Sequence, residues 1–189
     1  MNIELKPFEL ADINRLLSWL DAASSRDKNE LLLSWAGPFF EFPLTQNQCQ
    51  QYWQTSQGDP PSRLIFKAVD NDSGDVVGHI ELDGFDAENQ SAFISRVLVG
   101  VDAQRGKGIG RSIVLQLINM AFSQLALHRL AVGVMDFNTT AIRCYEKCGF
   151  KYEGRYRDIV RYEDKYYSVV TMSLLRNEWQ QAAGQPFDC

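Results

Sequence analysis

Nothing in this sequence offers a membrane span, because no apolar run approaches the roughly 18 residues that crossing a bilayer takes. Histidine and cysteine are scarce. There are two histidines, His79 and His128, and four cysteines, Cys49, Cys144, Cys148 and Cys189, none of them in a CxxC pair. That spacing excludes a thioredoxin-type redox motif and a zinc knuckle. Cys144 and Cys148 are four residues apart and would share a helix face. Two thiols without further ligands make no metal site, so the cysteines read as buried or idle. A basic surplus is also missing: 19 Lys and Arg against 24 Asp and Glu leave a net charge of −5. This speaks against nucleic acid as a partner and suits a cationic acceptor such as an amine. The opening residues MNIELKPFEL alternate polar and apolar, unlike the charged-then-apolar layout of a signal peptide. A cytoplasmic protein without membrane partners is therefore expected.

What is there is a chain of 189 residues, 45% hydrophobic, with no repeat, low-complexity tract or linker. That is enough to bury one core. NIELKPF reads as a strand, and ELADINRLLSWL as a helix with apolar residues at Leu10, Ile13, Leu16, Leu17 and Leu20. DKNELLLSWAGPFF suggests a second short helix, stopped near Gly37 and Pro38. Thr45, with Gln48 three residues on, has the form of a capping box opening a third helix, TQNQCQQYWQTS. The period then changes. RLIFKAVD, VVGHIELDGF and SAFISRVLV are strand-like, the first two joined by the turn NDSG. Ile109, Ile113, Val114, Leu117, Ile118, Ala121, Phe122 and Leu125 form one side of a helix. HRLAVGVMD predicts a strand, TTAIRCYEKCG a helix ended by Gly149, and FKYEGRYRD and KYYSVVTMSLL two closing strands. The mixture predicts an α/β sheet of mixed strand directions.

Between SAFISRVLV and the one-sided helix lies QRGKGIGR, residues 104–111. A glycine loop at a helix N-terminus exposes backbone N–H groups that have no intrahelical partner, and the helix dipole favours an anion there. Arg105, Lys107 and Arg111 add positive charge, so a phosphate or pyrophosphate is the natural guest; a glycine turn without ligand is the alternative. The loop is no P-loop, since its Gly106-Lys107 is followed by Gly108. It is no dinucleotide fingerprint either, since counting GxGxxG from Gly106 puts Arg111 at the third glycine.

QRGKGIGR resembles the [QR]-x-x-G-x-[GA] signature of the GNAT superfamily of N-acetyltransferases, which cradles the pyrophosphate of acetyl-coenzyme A. A second stretch, from Asn138 through Tyr145 to Gly149-Phe150, is similar to the superfamily's N-x-x-A-x-x-x-Y-x-x-x-G-F. The ending RYEDKYYSVVTMSLLRNEW resembles the polyamine and ribosomal-protein N-terminal acetyltransferases. The likeness covers roughly residues 75–175. It implies a mixed α/β GNAT-like fold: a central, mostly antiparallel sheet with a splayed parallel pair, flanked by helices. It further implies one domain over residues 1–189: acceptor-side helices (1–60), antiparallel strands (61–100), an acetyl-CoA-binding core (101–150) and C-terminal strands (151–189). Superfamily members are often dimers, so a homodimer is implied as well.

The resemblance also implies roles. The amides from Arg105 and Gly106 through Lys107, Gly108, Ile109 and Gly110, with Arg111 beside them, would hold the pyrophosphate. The backbone of Val97, Leu98 and Val99 would pair with the pantetheine arm, and Asn138 would bond the arm or cap its helix. Tyr145 would donate a proton to the departing thiolate; otherwise it fills the core. A carboxylate would take the proton of the attacking amine. Glu81 is the candidate, with Asp83, Asp86 and His79 as rivals. His79, Glu81 and Asp83 alternate along one strand face, so they act together or simply face water. Trp35, Phe39 and Phe42 would line an acceptor pocket or belong to the core. The activity implied is direct transfer of acetyl from acetyl-CoA, the cosubstrate, to a primary amine in a ternary complex: a protein N-terminal amine, a polyamine or another small amine. No metal is implied. The alternative is a non-catalytic acyl-CoA-binding sensor.

Overall fold

The central strands are buried at consecutive positions, Val77 to Leu82 in one run, so both faces of the sheet must be covered, and the chain supplies a layer for each. The computed structural model describes residues 2–21, 33–35, 40–41, 43–100 and 107–183. Seven strands form one sheet: β1 (Ile3–Pro7), β2 (Arg63–Asp70), β3 (Val76–Asp86), β4 (Ser91–Val99), β5 (Arg129–Met135), β6 (Lys151–Tyr162) and β7 (Lys165–Leu175). Their order is β1-β2-β3-β4-β5-β7-β6. Every neighbouring pair is antiparallel except β4 and β5. This is the mixed sheet that the strand pattern predicts, with the one parallel pair that the family resemblance implies.

Residues 10–12 make a 3₁₀ turn leading into α1 (Ile13–Asp21), followed by α2 (Gln46–Gln54), α3 (Ile109–Ser123), α4 (Thr139–Lys147) and α5 (Arg176–Ala183). α3 carries the one-sided stripe. Ile109, Ile113, Val114, Leu117, Ile118, Ala121 and Phe122 are all buried, packed with Phe66, Ala68, Ile80, Ile94 and Val132 in the main core. α1 and α2 cover the other face. Ile13, Leu16 and Leu20 of α1, and Cys49 and Tyr52 of α2, pack with Trp35, Ile65 and Leu98 in a second core. Thr45 opens α2 with the predicted capping box: its Oγ accepts from the Gln48 N–H at 3.3 Å, and its own N–H donates to Gln48 Oε1 at 2.8 Å. Gln48 also donates to the Glu41 carbonyl at 3.0 Å, which ties the start of α2 to the chain before it.

Two elements differ from the sequence reading. β6 runs on to Tyr162, past Asp158, whose φ of +51° marks a bulge that FKYEGRYRD alone does not announce. The chain also continues into α5, which the sequence reading missed. Glu178 accepts from the Leu175 N–H at 3.0 Å and caps its start, and Trp179 packs on Phe122. The second predicted helix lies mostly outside the described residues; within it, residues 33–35 are helical. Among the described residues no helix is long and apolar enough to cross a membrane. Cys49 and Cys148 are buried and Cys144 is half-buried, all as free thiols, and no group of three or more His, Cys, Asp or Glu among the described residues could hold a metal.

Gly78 lets α3 seat on β3. A Cβ there would stand 2.5 Å from Ile113 Cδ1 and 2.7 Å from the Leu98 carbonyl oxygen. The carbonyl is sheet backbone and cannot yield cheaply. Gly78→Ala is therefore expected to lower stability by about 1–3 kcal/mol, read as a drop in the urea midpoint without change of m-value.

Candidate active site

β3 carries polar residues where a buried strand should be apolar. His79 and Glu81 are both 0% exposed. They share one sheet face with Asp83, and α2 covers that face over His79 and Glu81, so of the three only Asp83 keeps an exposed side, toward a cleft. A carboxylate out of water needs donors around it. Glu81 receives three: the Arg96 guanidinium in close contact, the Tyr52 hydroxyl in a short hydrogen bond, and Arg63 Nη1 at 3.3 Å.

Arg96 reaches Glu81 because β4 bulges. Ser95 pairs with Glu81 and Leu98 with His79, so Arg96 and Val97 together oppose Ile80. Arg96 takes a left-handed backbone, φ +49°. Its carbonyl is held by two donors, His79 Nδ1 at 2.9 Å and Trp35 Nε1 at 3.1 Å. Since a carbonyl only accepts, the His79 proton sits on Nδ1, and Nε2 faces the Tyr52 oxygen at 3.1 Å. The Arg96 guanidinium lies over the rings of Phe40 and Tyr52, 5.1 and 5.3 Å from their centroids. Burial pushes His79 from its ordinary 6.5 down to about 4, so the imidazole is neutral at pH 7. Burial, reinforced by the charge of Glu81 and the hydrogen bond to it, holds the Tyr52 phenol well above its ordinary value.

Above this network opens a cleft of about 580 Å³, lined among the described residues by Phe40, Glu41, Gln51, Tyr52, Arg63 and Asp83, with Gln48, Thr55 and Arg96. Asp83 is the β3 carboxyl that faces it, its side chain 24% exposed. Burial, with Glu81 beside it, raises Asp83 from 3.8 to about 6. Asp83 also accepts a hydrogen bond from Ser95 Oγ at 3.1 Å. Asp86, its rival in the sequence, is spent on the β3–β4 turn, where it accepts from the Asn89 N–H and Nδ2. Trp35 is core and holds the bulge; Phe39 and Phe42 lie outside the described residues.

A second feature lies across β4. The parallel pairing with β5 stops at Ile94–Val132, and beyond it the strands separate. The β4 backbone at Val97 and Val99 thus has no β5 partner, while Leu98 packs into the second core. At the end of this gap α3 begins. Gly108 is its N-cap with φ +84°, no side chain caps the helix, and the space where a Cβ would stand is open. The first intrahelical bond there is Ser112 N–H to the Gly108 carbonyl, so the amides of Ile109, Gly110 and Arg111 are left over. Lys107 is exposed, Ile109 turns its side chain into the core, and Arg105 and Gly106 lie outside the described residues. The residues present fit a pyrophosphate-bearing cofactor with an extended amide arm. Asn138 caps α4, its Oδ1 accepting from the Ala141 N–H at 3.1 Å. Tyr145, two turns on, is 6% exposed and packs edge-on against Phe150. Burial raises its phenol far above its ordinary value, and its hydroxyl bonds no other described residue.

Sequence reasoning missed Tyr52, Arg63 and Arg96. The available signal was Arg96 itself, a lone guanidinium in the apolar strand FISRVLV, which calls for a buried counter-charge.

A sequence profile of the acetyltransferase (GNAT) family matches residues 29–150. An uncharacterized N-acetyltransferase from a Bacillus subtilis prophage, YokL, is 29% identical over 74% of this chain and 76% of its own length. A putative ribosomal N-acetyltransferase of B. subtilis, YdaF, is 32% identical over 57% of each chain. Among solved structures, the spermidine N-acetyltransferase of Vibrio cholerae, crystallised with CoA and spermine, superposes with a TM-score of 0.80 at 20% identity. The match covers 94% of this chain and 98% of that one.

Neutral His79 gives the site a pH signature. Its pKa is lower folded than unfolded, so its contribution to stability is complete above 6.5 and is lost as pH falls from 6.5 through 4. The slope is at most about 1.4 kcal/mol per pH unit for one proton. Asp83, raised from 3.8 to about 6, opposes it over that lower range. The readout is therefore the difference between wild type and His79→Asn in urea melts: the wild type is expected to lose more stability than the variant between pH 6.5 and 4.

Proposed function

Because the chain belongs to the acetyltransferase (GNAT) family and is an acetyl-CoA-dependent N-acetyltransferase, we propose that it acetylates a primary amine held in the cleft beside Asp83. The acceptor is a protein N-terminal amine, a polyamine or another small amine, acetylated by direct attack in a ternary complex. The observation that carries this reading is a half-buried carboxyl of raised pKa, set beside a second carboxyl and open to a cleft of about 580 Å³.

Acetyl-CoA supplies the acetyl group as a thioester. The amides of Lys107, Gly108, Ile109 and Gly110 and the Arg111 amide bind its pyrophosphate at the start of α3, with Arg105 and Gly106 contributing from the preceding loop. Val97 and Val99 offer their backbone to its arm where β4 leaves β5, whereas Leu98 turns its backbone to β3 and is left out of that contact. Asn138 uses only its Oδ1 on the α4 cap, which leaves its side-chain amide N–H groups to donate to the arm.

An alkylammonium cannot attack until it loses a proton. Asp83, raised to about 6, is ionised in most molecules at pH 7 and takes that proton, the neighbouring Glu81 strengthening its hold on it. Glu81 thus acts from behind Asp83, fixed there by Tyr52, Arg63 and Arg96. On the other side Tyr145 keeps its proton at every physiological pH and donates a hydrogen bond to the departing sulfur. Its burial, and a hydroxyl that bonds no other described residue, support that role.

The test is thiol release from acetyl-CoA with a panel of amines. Turnover supports the reading; binding of acetyl-CoA without turnover of any amine returns the chain to a sensor. The wild-type kcat/KM is expected to fall on the acid side with an apparent pKa near 6. Asp83→Asn should be slower and lack that limb; a limb that persists in the variant assigns the proton elsewhere. Tyr145→Phe is expected to reduce kcat by about 10- to 100-fold with acetyl-CoA affinity unchanged; wild-type kcat would make water the donor.

A further inference from the structure

Resting on the amine-acceptor reading above, we propose that the acceptor is a free α-amino acid, its ammonium on Asp83 and its carboxylate on Arg63. The two residues are direct cross-strand partners, Arg63 on β2 opposite Asp83 on β3. Both line the cleft. Opposed side chains in an antiparallel pair lie on one face within reach of one another. Yet these two make no ion pair. Arg63 turns to Glu81 instead, at 3.3 and 3.5 Å, long for a charge-assisted bond, and its Nε is buried without a hydrogen-bond partner. Among the described residues Asp83 meets the edge of Arg96, at 3.9 Å, and the Ser95 hydroxyl. Unlike charges thus stand side by side with the cleft between them and neither satisfied by the other.

A molecule bearing an ammonium and a carboxylate on one carbon matches that arrangement. Its carboxylate meets a planar guanidinium suited to two parallel bonds. Its ammonium meets the carboxyl that must take its proton. Its side chain points past the rings of Phe40 and Tyr52 into the remainder of the cleft. The volume lies within the usual range for small-molecule sites.

A polyamine offers only ammonium groups. Among the described lining residues, Glu41 and Asp83 stand beside Arg63 and Arg96, and these two guanidiniums, only partly answered by the buried Glu81, repel a chain of several cations. In this respect the chain's cleft is built for a different acceptor from that of the spermidine enzyme whose fold it shares. A peptide N-terminus presents an amide where the amino acid has its carboxylate, and leaves Arg63 unanswered.

The experiment measures kcat/KM with acetyl-CoA for the common L-amino acids, their α-carboxamides and spermidine, on wild type, Arg63→Gln and Arg63→Lys. The wild type should favour its best amino acid over the matching amide, and over spermidine, by at least about tenfold, since a site built for a polar group rejects an analogue without it. Arg63→Gln should collapse that ratio, chiefly through KM for the amino acid, with acetyl-CoA affinity by calorimetry unchanged. Arg63→Lys should keep part of the preference. Should Arg63→Gln not fold, the wild-type ratio and the lysine variant still decide. Turnover of amides or spermidine as good as that of any amino acid, or a ratio unmoved in both variants, overturns the inference and leaves the amine reading standing. No turnover of any amine by an enzyme that binds acetyl-CoA overturns the amine reading, and this inference with it.

Discussion

A glutamate without water is the constraint around which this site is arranged. Glu81 lies on a central strand with no exposed surface, and a carboxylate in that position is unstable unless donors surround it. One donor comes from each neighbouring element: Tyr52 from α2, Arg63 from β2 and Arg96 from β4. Meeting that need fixes much else. Arg96 reaches inward only because β4 bulges, and the bulge persists because His79 and Trp35 hold its carbonyl. The left-handed backbone at Arg96 is strain offset by two hydrogen bonds and an ion pair. The helix α2 is thereby tied to the sheet by polar contacts as well as by apolar burial.

The same bulge lies on the strand that parts from β5. On one face of β4 the carboxyl pair meets the cleft; along its edge the backbone is free, and this gap leads to the uncapped start of α3. In the proposed function, one strand would bring a donor molecule along that edge together with an acceptor in the cleft. The geometry needs no hinge or lid to explain it.

Most of the fold could be read from the sequence because its signals are local. The stripe from Ile109 to Phe122, the capping box at Thr45 and Gln48, and Gly149 after α4 each depend on neighbours within a turn or two. The loop at Gly108 was legible for the same reason. α5 was missed because its start depends on Glu178 reaching back to Leu175 and on Trp179 meeting Phe122, far away in the chain. The site was legible in outline only. Alternation put His79, Glu81 and Asp83 on one face, but not how deep each would lie. Depth is set by α2 and the bulge, which pairing across strands creates. Tyr52 looked like one more amphipathic helix residue, and Arg63 like the exposed end of a strand, until β2 aligned with β3 and put Arg63 opposite Asp83.

Tyr52 stands in the wall of the cleft and also bonds the carboxyl behind Asp83. Selectivity and reactivity are thus wired to the same phenol. A change in α2 that reshaped the wall to admit a new acceptor would also disturb Glu81, and with it the raised pKa of Asp83 on which the proposed function rests. Engineering a broader substrate range through this helix would shift the enzyme's pH optimum as a built-in side effect.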